Sequence, residues 1–265
     1  MKPELDYIEI NKKLWNEKVA HHVLSDFYDM PAFLSGKTSL KSIELDMLGN
    51  IQGKKVLHLQ CHFGQDSLSL ARMGASVTGV DFSEAAIEKA IELAKHTAAD
   101  ARFICSDIYH LPDVLEEQFD LVFTSYGTIG WLPDIDKWAG VVARFLKPGG
   151  RFIMVDFHPV LWMFDNEFSR IQYSYFNKEA IIETLNGTYA DREAPLHHTE
   201  IGWNHSFTEI LTALLEKGLS LKQFGEYDYS PYNCFSNMVE YEAGKFRISH
   251  LEDKIPMLYS LLMTT

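Results

Sequence analysis

Two carboxylates stand at matched places behind two apolar runs: Asp81 closes SVTGVD, and Asp107 follows ARFICS. A carboxylate accepts hydrogen bonds from both hydroxyls of a vicinal diol. At the end of a second strand, about 20 residues past the first turn, an acidic side chain takes a ribose. Asp107 can accept the exocyclic amine of an adenine while Ile108 packs on the ring. Each has a plainer reading. Asp81 can cap the following helix, which Ser83 does better, and Asp107 can be a turn aspartate.

The first turn lies in VLHLQCHFGQDSLSLA, residues 56 to 71. Two positions where a nucleotide-binding turn carries glycine hold Gln60 and His62, and only Gly64 is left. A dinucleotide lays its pyrophosphate against the backbone here, which is why glycines are needed. Gln60 and His62 crowd a pyrophosphate. S-adenosylmethionine has no phosphate, and its aminocarboxypropyl arm needs only a backbone donor or two and some polar side chains. The altered turn therefore disfavours NAD and stays compatible with S-adenosylmethionine.

These residues require a sheet behind them. From residue 54 apolar runs alternate with amphipathic helices: KKVLHLQ, SVTGVD, ARFICSD, FDLVFTSY and RFIMVDFH read as strands, with KPGG as a turn before the last. In SEAAIEKAIELAKH, Ile87, Ala90, Ile91 and Ala94 share one helix face. Strands apolar on both faces and separated by helices make a parallel sheet covered on both sides. Ligands bind such sheets beyond the carboxyl ends of the strands. Residues 5 to 50 carry helical patterning broken at Pro31 and Gly36, with Phe27, Tyr28 and Phe33 in the break. Residues 159 to 205 are aromatic-rich and contain an Asn-Gly hairpin signal in AIIETLNGTYA, so they read as an inserted antiparallel cap. SFTE opens a further helix, and LSLKQFGEYDYS and KIPMLYSLLM read as an antiparallel closing pair. The expected divisions are a helical lid over 1–50, a cofactor-binding core over 51–158, the cap over 159–205, and a closing helix with the last two strands over 206–265.

Composition narrows the classes. The chain has 265 residues, 46% hydrophobic and 23% charged, with a net charge of -13. No basic run displaces the counterions of a nucleic acid, so DNA and RNA are excluded as expected partners. Three cysteines, Cys61, Cys105 and Cys234, with no CxxC, read as reduced thiols of a cytoplasmic protein. No signal-type segment and no run of roughly 20 apolar residues is present, so no membrane association is expected. A monomer or a homodimer fits the length.

VLHLQCHFG, GASVTGVDFS, FICSDIYHLP, FDLVFTSYGTIGWLPD and LKPGGRFIMVDFHP together resemble the class I S-adenosylmethionine-dependent methyltransferases. They look most like a bacterial small-molecule branch whose first motif reads LHLQCHFG. NKKLWN, FYDMPAFLSGKTSL and WNHSFTEILTALLEKGL also match that branch. The resemblance implies a doubly wound, seven-stranded, mostly parallel α/β sheet with one antiparallel closing strand, of the Rossmann-like methyltransferase fold. It implies that Gln60, Cys61, His62 and Gly64 cradle the methionine end, that Asp81 and Phe82 take the ribose and adenine, and that Asp107 and Ile108 take the adenine. Ser83 joins this set at the helix start, and Ser125 and Tyr126 would lie near the sulfonium. The usual acidic residue of the first strand is replaced by His58, for which Asp66 is a possible substitute.

Methyl transfer from a sulfonium is an in-line displacement, so positioning alone can supply roughly 7–11 kcal/mol. Of the possible general bases, His158 after the fifth strand comes first; its plainer reading is a turn histidine. His205 comes second, with a helix-start role as its alternative. Tyr126 and Trp131 offer aromatic faces to a cation. His197 and His198 lack further ligands at suitable spacing, so no metal is expected. His21 and His22 read as ordinary helix residues. The expectation is methyl transfer to a small-molecule acceptor. The alternatives are a non-catalytic module that holds S-adenosylmethionine or S-adenosylhomocysteine, and a nicotinamide-dependent oxidoreductase.

Overall fold

The computed structural model describes residues 6–265. The expectations that touch residues 1 to 5, a leaderless start and the first helical residue, lie outside the described residues. Helices α1 (Tyr7–Leu24), α2 (Met30–Leu34) and α3 (Ser42–Leu48) come first. The break falls at Ser25–Asp29, not at Pro31. Pro31 sits in the first turn of α2, where its missing N–H costs nothing, and Asp29 caps that turn. Gly49 ends α3 at φ 59°.

The alternating core then runs β1 (Lys55–Leu59), α4 (Gln65–Arg72), β2 (Ser76–Asp81), α5 (Glu84–Thr97), β3 (Ala101–Cys105), α6 (Leu111–Val114), β4 (Phe119–Ser125), α7 (Ile135–Phe145) and β5 (Leu146–Phe157). Lys-Pro-Gly-Gly at 147–150 lies inside β5 rather than before it, and the pairing with β4 shifts register there. The cap hairpin is β6 (Ile181–Asn186) with β7 (His197–Gly202). It is antiparallel, as expected, but its connection is the long loop 187–196, not a two-residue Asn-Gly turn. Then come α8 (Phe207–Glu216), β8 (Ser220–Tyr227), β9 (Met238–Glu242), β10 (Lys245–Ile248) and β11 (Leu258–Thr264). The β9–β10 hairpin is a second insertion, between the two closing strands, that the sequence patterning did not announce.

The main sheet has seven strands in the order β3-β2-β1-β4-β5-β11-β8. All pairings from β3 to β5 are parallel, and β11 runs antiparallel to both its neighbours. This is the Rossmann-like methyltransferase fold. Order reverses between β1 and β4, so the crevice opens where Gln60 and Ser125 leave their strands. Two apolar layers cover the sheet. Trp138, Phe145 and Leu214 lie in one, and Leu48, Ile51 and Phe123 in the other. No helix among the described residues is long and apolar enough to cross a membrane.

Candidate functional site

A cavity of about 890 Å³ opens at the carboxyl ends of β1 to β5. Its walls come from the strand-end loops, from α1 and the segment after it, from the cap hairpin and from the 228–237 segment.

The turn after β1 keeps its bend without its glycines. Gln60 and His62 adopt φ 54° and 49°, and Gly64 adopts φ 80°. Non-glycine residues in this left-handed region carry a strain of about 1–3 kcal/mol each, which the surroundings must hold. Gln60 Nε2 donates to the Thr128 carbonyl at 2.8 Å, tying this turn to the loop after β4. The His62 N–H donates to Asp81 Oδ2 at 2.8 Å, and the Cys61 N–H to the Val80 carbonyl at 2.9 Å. Gly64 cannot be replaced freely, because a Cβ there would lie 2.8 Å from the Phe103 ring.

The His62 ring turns towards α1. Its Nε2 lies 3.0 Å from His22 Nδ1, and Trp15 meets it edge-on at 5.2 Å. Burial, with Lys18 nearby, pushes His62 down to about 3. Burial and the neighbouring His62 push His22 down to about 2. Both rings are therefore neutral near neutral pH. Four buried polar atoms around this turn have no hydrogen-bond partner: Gln60 Oε1, His62 Nδ1, Trp15 Nε1 and His22 Nε2. Each such atom costs about 1–3 kcal/mol unless a ligand meets it.

Asp81 is 8% exposed, and burial pushes its carboxyl up to about 6. Its Oδ1 accepts the Ser83 N–H at 3.0 Å. Phe82, Asp107, Ile108 and Ser125 also line the cavity. Asp107 Oδ1 accepts from the Tyr109 N–H at 2.8 Å. The Ser125 hydroxyl lies 3.3 Å from Asp66 Oδ2, and Asp66 faces the same cavity. His58 is 2% exposed and pairs with the Ser67 hydroxyl at 2.8 Å, while burial lowers it to about 4.

Two candidates stand apart. Ser83 is fully buried and caps α5; its hydroxyl donates to Asn16 Oδ1 at 2.6 Å and accepts the Ala86 N–H. It is not part of the cavity wall. His158 also lies outside the wall. Its Nδ1 accepts the Val160 N–H at 3.2 Å, and its Nε2 lies 2.9 Å from Glu226 Oε1. Both nitrogens are engaged, so the ring has none free for an acceptor's proton.

Tyr126 does line the cavity, at φ 51°, but its hydroxyl donates to Glu44 Oε2 at 2.7 Å. His205 Nε2 bonds the Leu132 carbonyl at 2.8 Å. His197 is exposed and pairs with Asn186, whereas His198 is buried and faces the cavity. No metal-holding group of histidine, cysteine and carboxylate side chains occurs among the described residues.

Several wall residues escaped the sequence reading. Trp15 and Lys18 sit on α1, Glu183 and Glu200 face each other on the cap, and Tyr232 and Phe235 come from the second insertion. The alternation along β7 marks His198 and Glu200 as one face, a signal available in HHTEIG once that segment is read as a strand.

Residues 56–150 match the family model described as a methyltransferase domain. An uncharacterised methyltransferase of Synechocystis sp. is 36% identical over 133 residues, covering 49% of this chain and 60% of that protein. The ubiquinone biosynthesis O-methyltransferase of Alkalilimnicola ehrlichii is 33% identical over 106 residues, covering 40% of this chain and 42% of its own. The matches thus span less than two thirds of those relatives. Among solved structures, an S-adenosylmethionine-dependent methyltransferase from Mesorhizobium loti superposes with a TM-score of 0.58 at 18% identity, over 88% of this chain and all (100%) of that one. The chain therefore carries, over residues 56–150, a match to the methyltransferase domain, set in the seven-stranded sheet of the Rossmann-like methyltransferase fold.

Proposed function

We propose that this protein is an S-adenosylmethionine-dependent methyltransferase that acts on a small-molecule acceptor by in-line displacement. The observation that carries the reading is the wall at the sheet's switch point, where Gln60, His62, Asp81 and Asp107 line one cavity. Gln60 Oε1 and His62 Nδ1 are unpartnered and buried there, which fits the polar aminocarboxypropyl end of the cofactor. Asp81 suits the ribose hydroxyls, and Asp107 with Ile108 suits the adenine. S-adenosylmethionine supplies an activated methyl group on a sulfonium. The chain's own part is to bind, to orient and to exclude water.

The segments over the cavity serve that last role. Tyr28 and Tyr189 join hydroxyl to hydroxyl, so the N-terminal segment closes against the cap. The N-terminal elements act as the lid, and the cap shapes the acceptor pocket. The small-molecule acceptor is supported by the names of the O-methyltransferase relatives and by the size of the cavity.

Calorimetric titration with S-adenosylmethionine, S-adenosylhomocysteine and NAD tests the reading. The expected result is binding of the first two and none of NAD. Binding of none, by folded and ligand-free protein, would discard it. Binding without methyl transfer to any compound of a broad acceptor panel would leave the non-catalytic module instead.

A further inference from the structure

We propose that the inward face of the β6–β7 hairpin is the acceptor subsite and selects a small molecule carrying a basic amino group; this rests on the methyl-transfer reading above. Side chains alternate along the two strands, and Glu183, His198 and Glu200 fall on the cavity side. Glu183 stands directly opposite Glu200 in register. Like charges so placed destabilise a hairpin unless a cation lies between them.

The protein supplies only part of that cation. Lys18 Nζ, on α1, lies 3.5 Å from Glu200 Oε2. The same ammonium lies 4.8 Å from the Trp15 ring centre and 5.4 Å from that of Trp131, which fixes it on one side of the pair. Glu183 has no cationic partner among the described residues. The Tyr173 hydroxyl donates to its Oε1 at 3.2 Å and the Asn166 amide at 3.4 Å. Oε2 receives neither bond.

His198 is the independent observation. It is 8% exposed, and neither ring nitrogen has a hydrogen-bond partner. Its Nε2 lies 3.6 Å from Glu200 Oε2, beyond hydrogen-bond reach. A buried imidazole left unpaired on a cavity wall marks a place where a ligand's polar group belongs. An ammonium has three donors and no acceptor. Glu183 Oε2, Glu200 and one ring nitrogen of His198 offer three acceptors to it. A carboxylate or phosphate in the same place meets two opposed carboxylates and is repelled. The rest of the molecule finds aromatic walls in Trp162, Phe164, Tyr173 and Trp203. The amino group is the handle by which the acceptor is held, whichever atom receives the methyl.

The test uses the full-length protein saturated with S-adenosylhomocysteine. It is titrated with tyramine, histamine and benzylamine, and with 4-hydroxyphenylacetate, imidazole-4-acetate and benzoate as their carboxylate counterparts. The amines are expected to bind at least about tenfold tighter than the carboxylates. Glu183→Gln and Glu200→Gln are each expected to weaken amine binding about fivefold or more, and the double variant to lose the preference. Affinity for S-adenosylhomocysteine should stay within about twofold throughout, since neither residue belongs to the cofactor end. Glu183→Gln breaks no ion pair and so keeps the test open if Glu200→Gln unfolds. Equal binding of the two series, no binding of any amine, or an amine preference that survives in both single variants overturns the proposal. Failure of the wild-type protein to bind S-adenosylhomocysteine is a separate result, and it removes the methyl-transfer reading itself.

Discussion

The main-chain N–H of His62 donates to Oδ2 of Asp81 at 2.8 Å, so the turn after β1 and the end of β2 form one unit. The carboxylate fixes a backbone bend that a glycine would otherwise make easy. Its other oxygen accepts from Ser83 at the start of α5. Asp81 therefore serves the fold and, in the proposed function, the ribose.

Asp81→Ala should weaken S-adenosylhomocysteine binding by at least about tenfold, since a lost hydrogen bond to a charged group costs about 1.5–3 kcal/mol. Calorimetry on protein with an unchanged circular dichroism spectrum checks this. Affinity within about twofold of wild type would rule out the ribose role.

Gly64→Ala should destabilise the protein by about 1–3 kcal/mol, through the strained φ and the overpacking against Phe103. A Cβ at this position meets the ring at 2.8 Å with φ at 80°. Urea denaturation measures the loss. A midpoint equal to wild type would mean that the Phe103 ring moves aside freely.

Glu44 titrates against the fold. It is fully buried, and burial raises its carboxyl from 4.5 to about 7, despite bonds from the Lys41 N–H and the Tyr126 hydroxyl. The neutral form is the one the fold prefers. Its contribution is whole below pH 4.5 and is lost as pH rises through 7. Relative to Glu44→Gln, the wild type should lose stability on the order of 2–3 kcal/mol across that window. Denaturation curves of both proteins at several pH values give the difference, and a flat difference would refute the assignment.

The His22–His62 pair has the opposite sign. Burial lowers both from 6.5, to about 2 and about 3. Their contribution is present above pH 6.5 and is lost as pH falls towards those values. His22→Gln should therefore lose less stability than wild type between pH 6.5 and pH 4. Equal acid slopes for the two proteins would show that the pair does not resist protonation.

His158→Gln should lower the melting temperature but leave S-adenosylhomocysteine affinity, and turnover of any acceptor found, within about twofold, because substitutions away from a site add independently of it. Its ring bridges Val160 and Glu226 away from the cavity. A loss of about 100-fold or more in turnover, with folding intact, would restore it as a general base.

Much of the fold was legible. The strands of the core are apolar on both faces, and the helices between them show a 3.6-residue period, so their order and the parallel sheet follow from local pattern. Ser83 and Asp134 cap α5 and α7, as their side chains allow in any context. The insertions were harder. The Asn-Gly signal at 186–187 marked a hairpin but not its long loop, because contacts made by the loop outweigh turn propensity. Segment 228–257 carries no strong period, and its hairpin pairs only two short strands.

The site divides the same way. The strand-end residues Asp81, Asp107, Ile108 and Ser125 line the cavity because β-strand ends converge at a switch point whatever the side chains are. His158 lies outside the cavity wall although it follows the fifth strand, because nearness to the strand end says nothing of which way its ring turns. Trp15, Lys18, Glu200 and Tyr232 were missed because each reaches the cavity from an element far away in the chain.

The sequence by itself determined the alternation of strands and helices, and with it the end of the sheet that holds the site, since periodicity and capping act within a few residues. The tertiary structure alone decided that Gln60 and His62 take the left-handed conformation, and that Trp15, Glu183 and His198 come together around one cavity. Those outcomes depend on hydrogen bonds and burial between segments up to about 180 residues apart, such as Lys18 with Glu200, and no local pattern encodes them.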